Sequence, residues 1–380
     1  MCHTRTTRGA CRRWLAALSM MSIMLGACAR HDNGSWDPRS AAIYLDHRED
    51  WWARWPKAAR DPETFCISCH TALPYALARS SLRDALGESA PSAAERRLLD
   101  DVQKRVRLWS QSQPYYGGDS TAAARGTESV LNALVLANED ARERQHGALT
   151  QAAFDNMWAL QQTAGADRGA WLWIQFDNEP WEAYDSVYYG ATLAALAVGM
   201  AGGDYRSQPE VDDALARLKA YLNDHYEAQT PLNRIALLWA SAHIPGLIER
   251  ARQVQIIEDI WKRQLPDGGW SAASLVGDWK LEDGSPLVVR SDGYATGLIA
   301  VTLQQFGIGR DPRLIRGLAW LAAHQSRWTG HWAGYSLNRR HRSLFSKTSQ
   351  FMDDAATAYA VLALSGPSIG GVTASDRRPR

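Results

Sequence analysis

The sequence predicts an all-α fold, an α/α toroid of about six helical hairpins. After Cys69 it shows helical periodicity almost throughout, without sustained two-residue alternation. Short segments rich in Ala, Leu and Gly recur at intervals of roughly 50 to 60 residues, which is typical of a repeat architecture. Charged amphipathic segments, such as 210–224 and 248–263, lie between them. Because small residues allow close helix packing, the pattern predicts an inner ring of helices and an outer one.

Each inner helix is expected to begin at a polar residue. The predicted starts are Glu128, Asp185, Asn233, Asp292 and Asp353, the one at Asn233 being the weakest. A sixth copy begins at His70 and completes the ring. Since equivalent positions of a closed repeat share a height on its axis, we expect His70 to lie on the same rim as the acidic starts.

The N-terminus has the layout of a secretory signal peptide. Four arginines among residues 5–13 precede an apolar run at 14–25, which is short for a membrane span. Leu25-Gly26-Ala27-Cys28 resembles the lipobox of bacterial lipoproteins, in which the cysteine is lipidated. This predicts a membrane anchor at Cys28 on the periplasmic side of a bacterial envelope, with the outer membrane weakly favoured. A buried N-terminal helix is the alternative.

The chain is therefore divided into four segments. We expect a lipoprotein signal peptide at 1–27, a tether and N-terminal segment at 28–60, the toroid at 61–366 and a disordered tail at 367–380. Within the toroid, Ser92-Ala93-Ala94-Glu95 is a capping box that predicts a helix start.

Cys66-Ile67-Ser68-Cys69-His70 has the spacing of a c-type haem attachment motif. The two thiols would bond covalently to the haem and His70 would ligate its iron. Of the five cysteines, Cys66 and Cys69 alone follow the predicted lipidation site. Zinc held by these residues and an acidic neighbour, or a simple dithiol or disulfide, are the alternatives.

A further motif, Gln264-Leu265-Pro266-Asp267-Gly268-Gly269-Trp270, has the form Q-x-x-x-G-x-W. Residues 325–332 carry a copy with one inserted residue, and Gln113 with Gly117 forms a fragment. Over about residues 70–366 the chain thus resembles the squalene-hopene cyclase and protein prenyltransferase superfamily. The resemblance implies an α/α toroid in which these motifs tie outer helices to the following loops. It does not identify the reaction.

Four carboxylates at the predicted helix starts are candidate catalytic residues: Asp185, Asp292, Asp353 and Asp354. Paired carboxylates can raise one pKa and create an acid. Class II cyclases resemble one another in a D-x-D-D-T-A motif, but residues 351–356 lack its first aspartate and its threonine. Helix capping is the alternative role for all four.

Composition narrows the function classes. A net charge of +1 argues against nucleic acid, and 17 tryptophans indicate an aromatic cavity or binding surface. The leading hypothesis is a membrane-anchored c-type haem protein with redox chemistry or an electron-transfer partner, near a cavity for an isoprenoid or other apolar ligand. The alternatives are a non-redox lipid-binding or cyclase-like lipoprotein, and a carbohydrate-active toroid that uses Asp185, Asp292 or the pair Asp353 and Asp354.

Overall fold

The computed structural model describes residues 36–143, 146–339 and 346–366. The predicted signal peptide, Cys28 and the predicted tail at 367–380 lie outside the described residues, so lipidation at Cys28 stays a prediction. Among the described helices, none has both the length and the apolar character needed to cross a bilayer.

The described residues form thirteen α-helices and one short hairpin of two antiparallel strands, in which Ala59 faces Phe65. The elements are α1 (Pro38–Arg54), β1 (Ala59–Arg60), β2 (Thr64–Phe65), α2 (Ala72–Leu86), α3 (Ala93–Arg107), α4 (Thr121–Glu143), α5 (Ala148–Ala159), α6 (Ser186–Met200), α7 (Gly202–Arg206), α8 (Pro209–Asp224), α9 (Pro231–His243), α10 (Arg250–Lys262), α11 (Gly293–Gln305), α12 (Pro312–Ala323) and α13 (Phe351–Leu364). The predicted all-α fold is confirmed.

Six helices form a closed inner ring. The helices α2, α4, α6, α9, α11 and α13 each pack against the next, and α13 packs against α2. They are buried nearly all round: every residue of α6 except Val187 is buried. Small residues make this possible, because a Cβ at Gly297 of α11 would lie only 2.6 Å from the backbone nitrogen of Ala360 in α13. The inner helices are therefore the repeated small-residue segments, although α4 begins about two turns before Glu128.

The outer layer consists of α1, α3, α5, α8, α10 and α12, each packed against one or more inner helices. The helix α3 shows why such segments lie outside: it buries Leu98, Val102 and Val106 on one face and is otherwise mostly charged. The predicted capping box of Ser92 and Glu95 is present at its start. Outer and inner helices alternate along the chain and give six hairpins within the described residues. The first outer helix, α1, lies within the segment predicted as tether and N-terminal segment.

The glutamine-tryptophan motifs join successive outer helices. The side-chain amide of Gln264 donates to the carbonyls of Gly268, at 2.8 Å, and Arg313, at 2.7 Å, so it ties the end of α10 to the start of α12. The amide of Gln325 donates to the carbonyl of Asp37 at 2.8 Å and accepts from its backbone nitrogen at 2.6 Å. This second contact joins the last hairpin to the first and helps close the ring.

The tryptophans of these motifs are fully buried. The indole of Trp270 donates to the carbonyl of Ile260 at 2.8 Å, and that of Trp332 donates to the carbonyl of Leu321 at 2.7 Å. Each therefore fills the space beneath the end of an outer helix and satisfies one of its free carbonyls.

Replacing Trp270 by alanine should cost roughly 3–5 kcal/mol of unfolding free energy, because it empties a fully buried indole site. The control is Trp328→Ala, since this side chain is 96% exposed and its loss should change stability by less than about 0.5 kcal/mol. Urea denaturation of both variants measures the difference. Equal midpoints for the two variants would show that the motif does not stabilise the ring.

Candidate functional site

A cleft of about 460 Å³ opens where the segments preceding α6, α11 and α13 meet. Its walls combine aromatic rings, carboxyl groups, amides and hydroxyls. They include Phe176, Asp177, Asn178, Trp181 and Glu182 before α6, Glu282 before α11, Asn338 and Arg339 before α13, and Phe351 and Met352 in the first turn of α13.

The wall before α6 is a tight loop held by its own backbone. The backbone nitrogens of Phe176 and Asn178 donate to the carbonyl of Glu182 at 2.7 and 3.2 Å, and the nitrogen of Glu182 donates to the carbonyl of Asn178 at 3.0 Å. Between them Asp177 adopts a φ of +50°, a conformation that is uncommon for residues other than glycine. Such backbone strain often occurs at functional sites, where surrounding contacts impose it.

Asn338 fastens three walls together. Its side-chain oxygen accepts from the backbone nitrogen of Glu179 at 3.0 Å, and its amide donates to the carbonyl of Glu179 at 2.8 Å and to the side-chain oxygen of Asn178 at 3.1 Å. Its own carbonyl accepts from the backbone nitrogen of Glu282 at 2.8 Å. The cleft is therefore assembled from segments far apart in sequence and fixed by hydrogen bonds.

Two carboxyl groups of this region have raised pKa values: that of Glu179, which is buried, and that of Glu182, which is half-buried. Burial raises the pKa of Glu182 to about 7. The amide of Asn178 donates to its Oε2 at 3.3 Å, and this hydrogen bond offsets part of the rise by lowering the pKa. Burial, and then the nearby charge of Asp185, raise the pKa of Glu179 to about 8. Both groups can therefore carry a proton near neutral pH, as a general acid must.

The segment with the two cysteines lies between β2 and α2 and is packed inside the protein. Cys66, Cys69 and His70 are all buried, and the indole of Trp52 donates to the carbonyl of Cys66 at 2.7 Å. Burial raises the pKa of the Cys66 thiol to about 12 and that of Cys69 well above its usual range. Both thiols therefore remain protonated and unreactive.

Aromatic rings surround the imidazole of His70. The ring of Phe351 stacks on it with a centroid distance of 3.6 Å, and Trp52 and Trp181 pack against it at 5.0 and 5.7 Å. Its Nδ1 lies 2.9 Å from the hydroxyl of Thr71. Burial and the charge of Arg48 lower its pKa well below the usual value, so the imidazole is neutral.

The predicted haem c site is wrong. A porphyrin bonded to Cys66 and Cys69, with His70 on its iron, would need the space beside the imidazole that Phe351 and Trp181 fill. The zinc alternative also fails, because the described residues contain no group of three or more His, Cys, Asp or Glu side chains that could hold a metal ion. The motif has the right spacing, but its surroundings fit neither group.

Asp354 joins three elements of the ring. Its carboxylate accepts from the Nε of Arg48 at 2.6 Å, the hydroxyl of Tyr44 at 2.9 Å and the hydroxyl of Thr71 at 2.7 Å. Arg48 and Tyr44 belong to α1, and Thr71 precedes α2. The hydroxyl of Thr71 contacts both His70 and Asp354, so these two residues come together in a buried contact.

The other predicted carboxylates also hold helix starts. Asp292 caps α11 by accepting from the backbone nitrogen of Ala295 at 2.8 Å, and burial raises its pKa to about 7. Asp353 accepts from the backbone nitrogen of Gly334 at 2.8 Å. Asp185 accepts from the side-chain amide of Asn233 at 3.0 Å. Each therefore makes contacts expected for helix capping or loop attachment.

The acidic side chains of the cleft, Asp177, Glu182 and Glu282, differ from those predicted. Glu182 and the neighbouring Glu179 lie just ahead of the predicted start at Asp185, and no motif indicated either of them. The sequence does contain an indication of this loop: three carboxyl groups and two aromatic rings occur within the seven positions 176–182. Such a cluster ahead of a helix is typical of a functional loop.

Comparisons with known proteins found distant structural likeness only. No family model and no curated protein matches the chain. Among solved structures, a wild-type glycosidase is similar with a TM-score of 0.49 and 14% identity, covering 87% of this chain and 98% of that one. A glycosidase variant in complex with glucose is similar with a TM-score of 0.49 and 14% identity, covering 86% and 97%.

A pair of buried carboxyl groups lies close to the cysteine segment. Glu49 of α1 is 1% exposed, and neither of its carboxyl oxygens has a hydrogen-bond partner in the described part of the chain. Asp101 of α3 exerts the largest charge effect on the pKa of Glu49, and it accepts from the backbone nitrogen of Phe65 at 2.8 Å. Burial, followed by the charges of Asp101 and Asp354, raises the pKa of Glu49 well above its usual value. Burial raises the pKa of Asp101 to about 7.

Asp354→Asn should lower the unfolding free energy by roughly 3–5 kcal/mol, because it leaves the Arg48 guanidinium buried without a counter-charge. Asp259→Asn is the matched control, since its partner Lys262 is 70% exposed and such surface pairs contribute at most about 1 kcal/mol. Chemical denaturation compares the two. A similar small loss in both variants would contradict the role assigned to Asp354.

Glu49→Gln should make the protein more stable at pH 8 and flatten its stability profile. The folded-state pKa of Glu49 exceeds the unfolded value of about 4.3, so above pH 4.3 Glu49 holds its proton more tightly in the folded protein than in the unfolded chain. The free energy of unfolding therefore falls as the pH rises above about 4.3. The melting temperature, measured from pH 5 to pH 9, should fall less steeply in the variant. Glu258→Gln, at an exposed position, is the control and should follow the wild-type profile. Parallel profiles for wild type and Glu49→Gln would overturn this account.

Proposed function

We propose that the cleft binds a carbohydrate and hydrolyses a glycosidic bond, with Glu182 as the proton donor. One observation carries this proposal: a half-buried carboxyl group with a pKa near 7 lines a cleft that is both aromatic and polar. Enzymes that protonate a leaving group use a carboxylic acid whose pKa is raised by its surroundings.

The lining of the cleft suits a sugar. A sugar ring has apolar C–H faces and a rim of hydroxyl groups, so it is bound by aromatic rings together with amide, carboxyl and hydroxyl side chains. Here Phe176 and Phe351 supply aromatic surface, while Asn178 and Asn338 supply amides. The volume of about 460 Å³ is within the range usual for small-molecule sites.

The second carboxylate of the reaction is proposed to be Asp177. It lines the same cleft, is exposed to solvent and is held in a strained backbone conformation by the loop around it. In the proposed reaction, Glu182 transfers its proton to the glycosidic oxygen as the bond to the anomeric carbon breaks. Asp177 takes a proton from the water that attacks this carbon, so the products are two free sugars and the protons balance.

The carbohydrate alternative of the sequence analysis is thus retained with different acidic residues. Asp292, Asp353 and Asp354 accept hydrogen bonds that hold helix starts. Asp185 remains close to the site, because its charge contributes to the raised pKa of Glu179. We propose that these four residues position the loops that carry the chemistry.

The cellular location is proposed from the sequence alone. The predicted signal peptide and lipidation of Cys28 would place the toroid at the surface of a membrane in the bacterial envelope. A carbohydrate substrate would then be met outside the cytoplasm.

Glu182→Gln should reduce glycoside hydrolysis by roughly 10²- to 10⁴-fold, because glutamine cannot donate the proton. Wild-type activity should fall as pH rises above about 7, where Glu182 loses its proton, and this alkaline limb should be absent from the variant. Rates across pH 5–9 on a panel of aryl glycosides and neutral oligosaccharides measure both effects.

The matched control is Glu282→Gln. The Glu282 side chain lies at the rim of the same cleft, is 60% exposed and is paired with Arg339. The variant should keep most of the activity and the wild-type pH profile. Unchanged hydrolysis in Glu182→Gln, or no hydrolysis of any substrate by the wild type, would overturn the proposed reaction.

A further inference from the structure

A second cavity, with an open volume of about 180 Å³, lies beside the cleft. Its lining comes from two segments, residues 271–292 before α11 and residues 335–339 before α13. Leu281, Leu287 and Val288 give it an apolar wall. We call this cavity the side pocket. It is smaller than the sites usual for whole small-molecule ligands, so it suits one unit of a larger ligand.

The cleft and the side pocket share a wall. Ser336 and Arg339 line both cavities. The hydroxyl of Ser336 accepts from the backbone nitrogen of Arg339 at 3.1 Å, and Asn338 in the same turn makes the hydrogen bonds to Glu179 that fasten the cleft. The turn is therefore fixed relative to the cleft. A ligand that crosses it enters volume that is already open, and no side chain has to move aside.

Arg290 gives the side pocket a positive charge. Its guanidinium carbon lies 3.3 Å from the centroid of the Tyr335 ring, so one face of the guanidinium is covered. Such stacking uses the face of the group and leaves its N–H donors free at the edge. No described residue accepts a hydrogen bond from these donors or forms an ion pair with them. The backbone nitrogen of Arg290 donates to the hydroxyl of Ser271 at 3.2 Å, which holds the residue in place.

The other charges of the side pocket leave it positive. Arg339 is a second cation, and its pair with Glu282 joins side chains that are 72% and 60% exposed, so the pair is weak. Among the described residues that line the side pocket, Asp292 alone has a carboxyl group. Its two oxygens accept from the backbone nitrogens of Ala272 at 2.7 Å and Ala295 at 2.8 Å, so the start of α11 offsets its charge.

The cleft has the opposite character. Its acidic side chains are Asp177, Glu182 and Glu282. An anionic group would be repelled by these carboxylates and attracted across the shared turn towards Arg290. The two cavities therefore suit a ligand with a neutral unit in the cleft and an acidic unit in the side pocket.

We propose that the side pocket binds a sugar unit that carries a carboxylate, which pairs with the guanidinium of Arg290, while a neutral unit of the same chain lies in the cleft. The proposal rests on the proposed function and deepens it, since it names the substrate as an oligosaccharide that contains a uronic acid. A planar carboxylate matches the fork of a guanidinium and accepts two parallel hydrogen bonds from it. Leu287 and Val288 supply apolar surface for the C–H face of the sugar ring.

The test compares acidic oligosaccharides with their carboxyl-reduced counterparts, which have the same linkages and length but no charge. The probes are oligosaccharides of hyaluronan, of unsulfated chondroitin and of glucuronoxylan, each with glucuronate beside neutral units. Binding to the full chain is measured by ligand-observed NMR. The wild type should bind the preferred acidic probe at least about tenfold more tightly than its reduced counterpart, because hydrogen bonds to charged groups are the stronger ones. In Arg290→Gln the ratio of the two dissociation constants should fall to roughly one, since glutamine has no charge and no fork of donors.

Arg310→Gln is the matched control. Arg310 is also an exposed arginine, but it follows the far end of α11, whose first residue, Gly293, lies next to the side pocket. This variant should keep the wild-type ratio. Raising the salt concentration to 0.5 M should lower the ratio in the wild type and in Arg310→Gln, because salt screens the pair of the carboxylate with Arg290.

The outcomes separate this inference from the proposed reaction. An unchanged ratio in Arg290→Gln, or no acidic probe bound more tightly than its reduced counterpart by the wild type, overturns the side pocket. If the ratio falls in Arg290→Gln alone while Glu182→Gln hydrolyses normally, the side pocket stands and the assigned proton donor is wrong. If Glu182→Gln is inactive and the ratio is the same in Arg290→Gln as in the wild type, the reaction stands and the side pocket is wrong.

Discussion

The contact between Asp354 and Arg48 closes the ring, and the cleft depends on it. Asp354 near the start of α13 binds Arg48 and Tyr44 of α1 and Thr71 before α2, so one carboxylate fixes the last inner helix to the first hairpin. Gln325 makes a second connection by binding the backbone of Asp37. Closure sets the position of the first turn of α13, from which Phe351 and Met352 face the cleft. An open arrangement of the same hairpins would lack this wall.

Closure also explains why the cysteine motif has a different role from the one its spacing predicted. Phe351 is brought onto the imidazole of His70 by the packing of α13 against α2, and the two residues are far apart in sequence. The spacing of five consecutive residues cannot indicate such a contact. Ser68, inside the motif, accepts from the backbone nitrogens of Thr71 and Ala72 and so supports the start of α2. The segment therefore anchors the first inner helix within the core.

The fold could be predicted from the sequence because its causes are local and repeated. Six small-residue segments at regular intervals required six closely packed inner helices, and Gln264 and Trp270 occupy the positions that the family resemblance implied. The site could not be predicted in the same way, because its walls come from three separate segments. Asn338 binds Glu179 across 159 positions, and no spacing rule detects such a pair. The raised pKa of Glu182 comes from burial, which exists only once the walls are assembled.

The protein contains several buried or half-buried carboxyl groups with raised pKa values, and these link its stability to its proposed chemistry. Burial raises the pKa of Asp101, Glu182 and Asp292 to about 7 and that of Glu179 to about 8. Because these values exceed those of the unfolded chain, the folded protein binds more protons, and this contribution to stability weakens as pH rises from about 4 to 8. The proposed proton donor is active in the same protonated state. Burial of these carboxyl groups therefore makes the fold more stable, and keeps Glu182 able to donate a proton, on the acidic side of neutral pH.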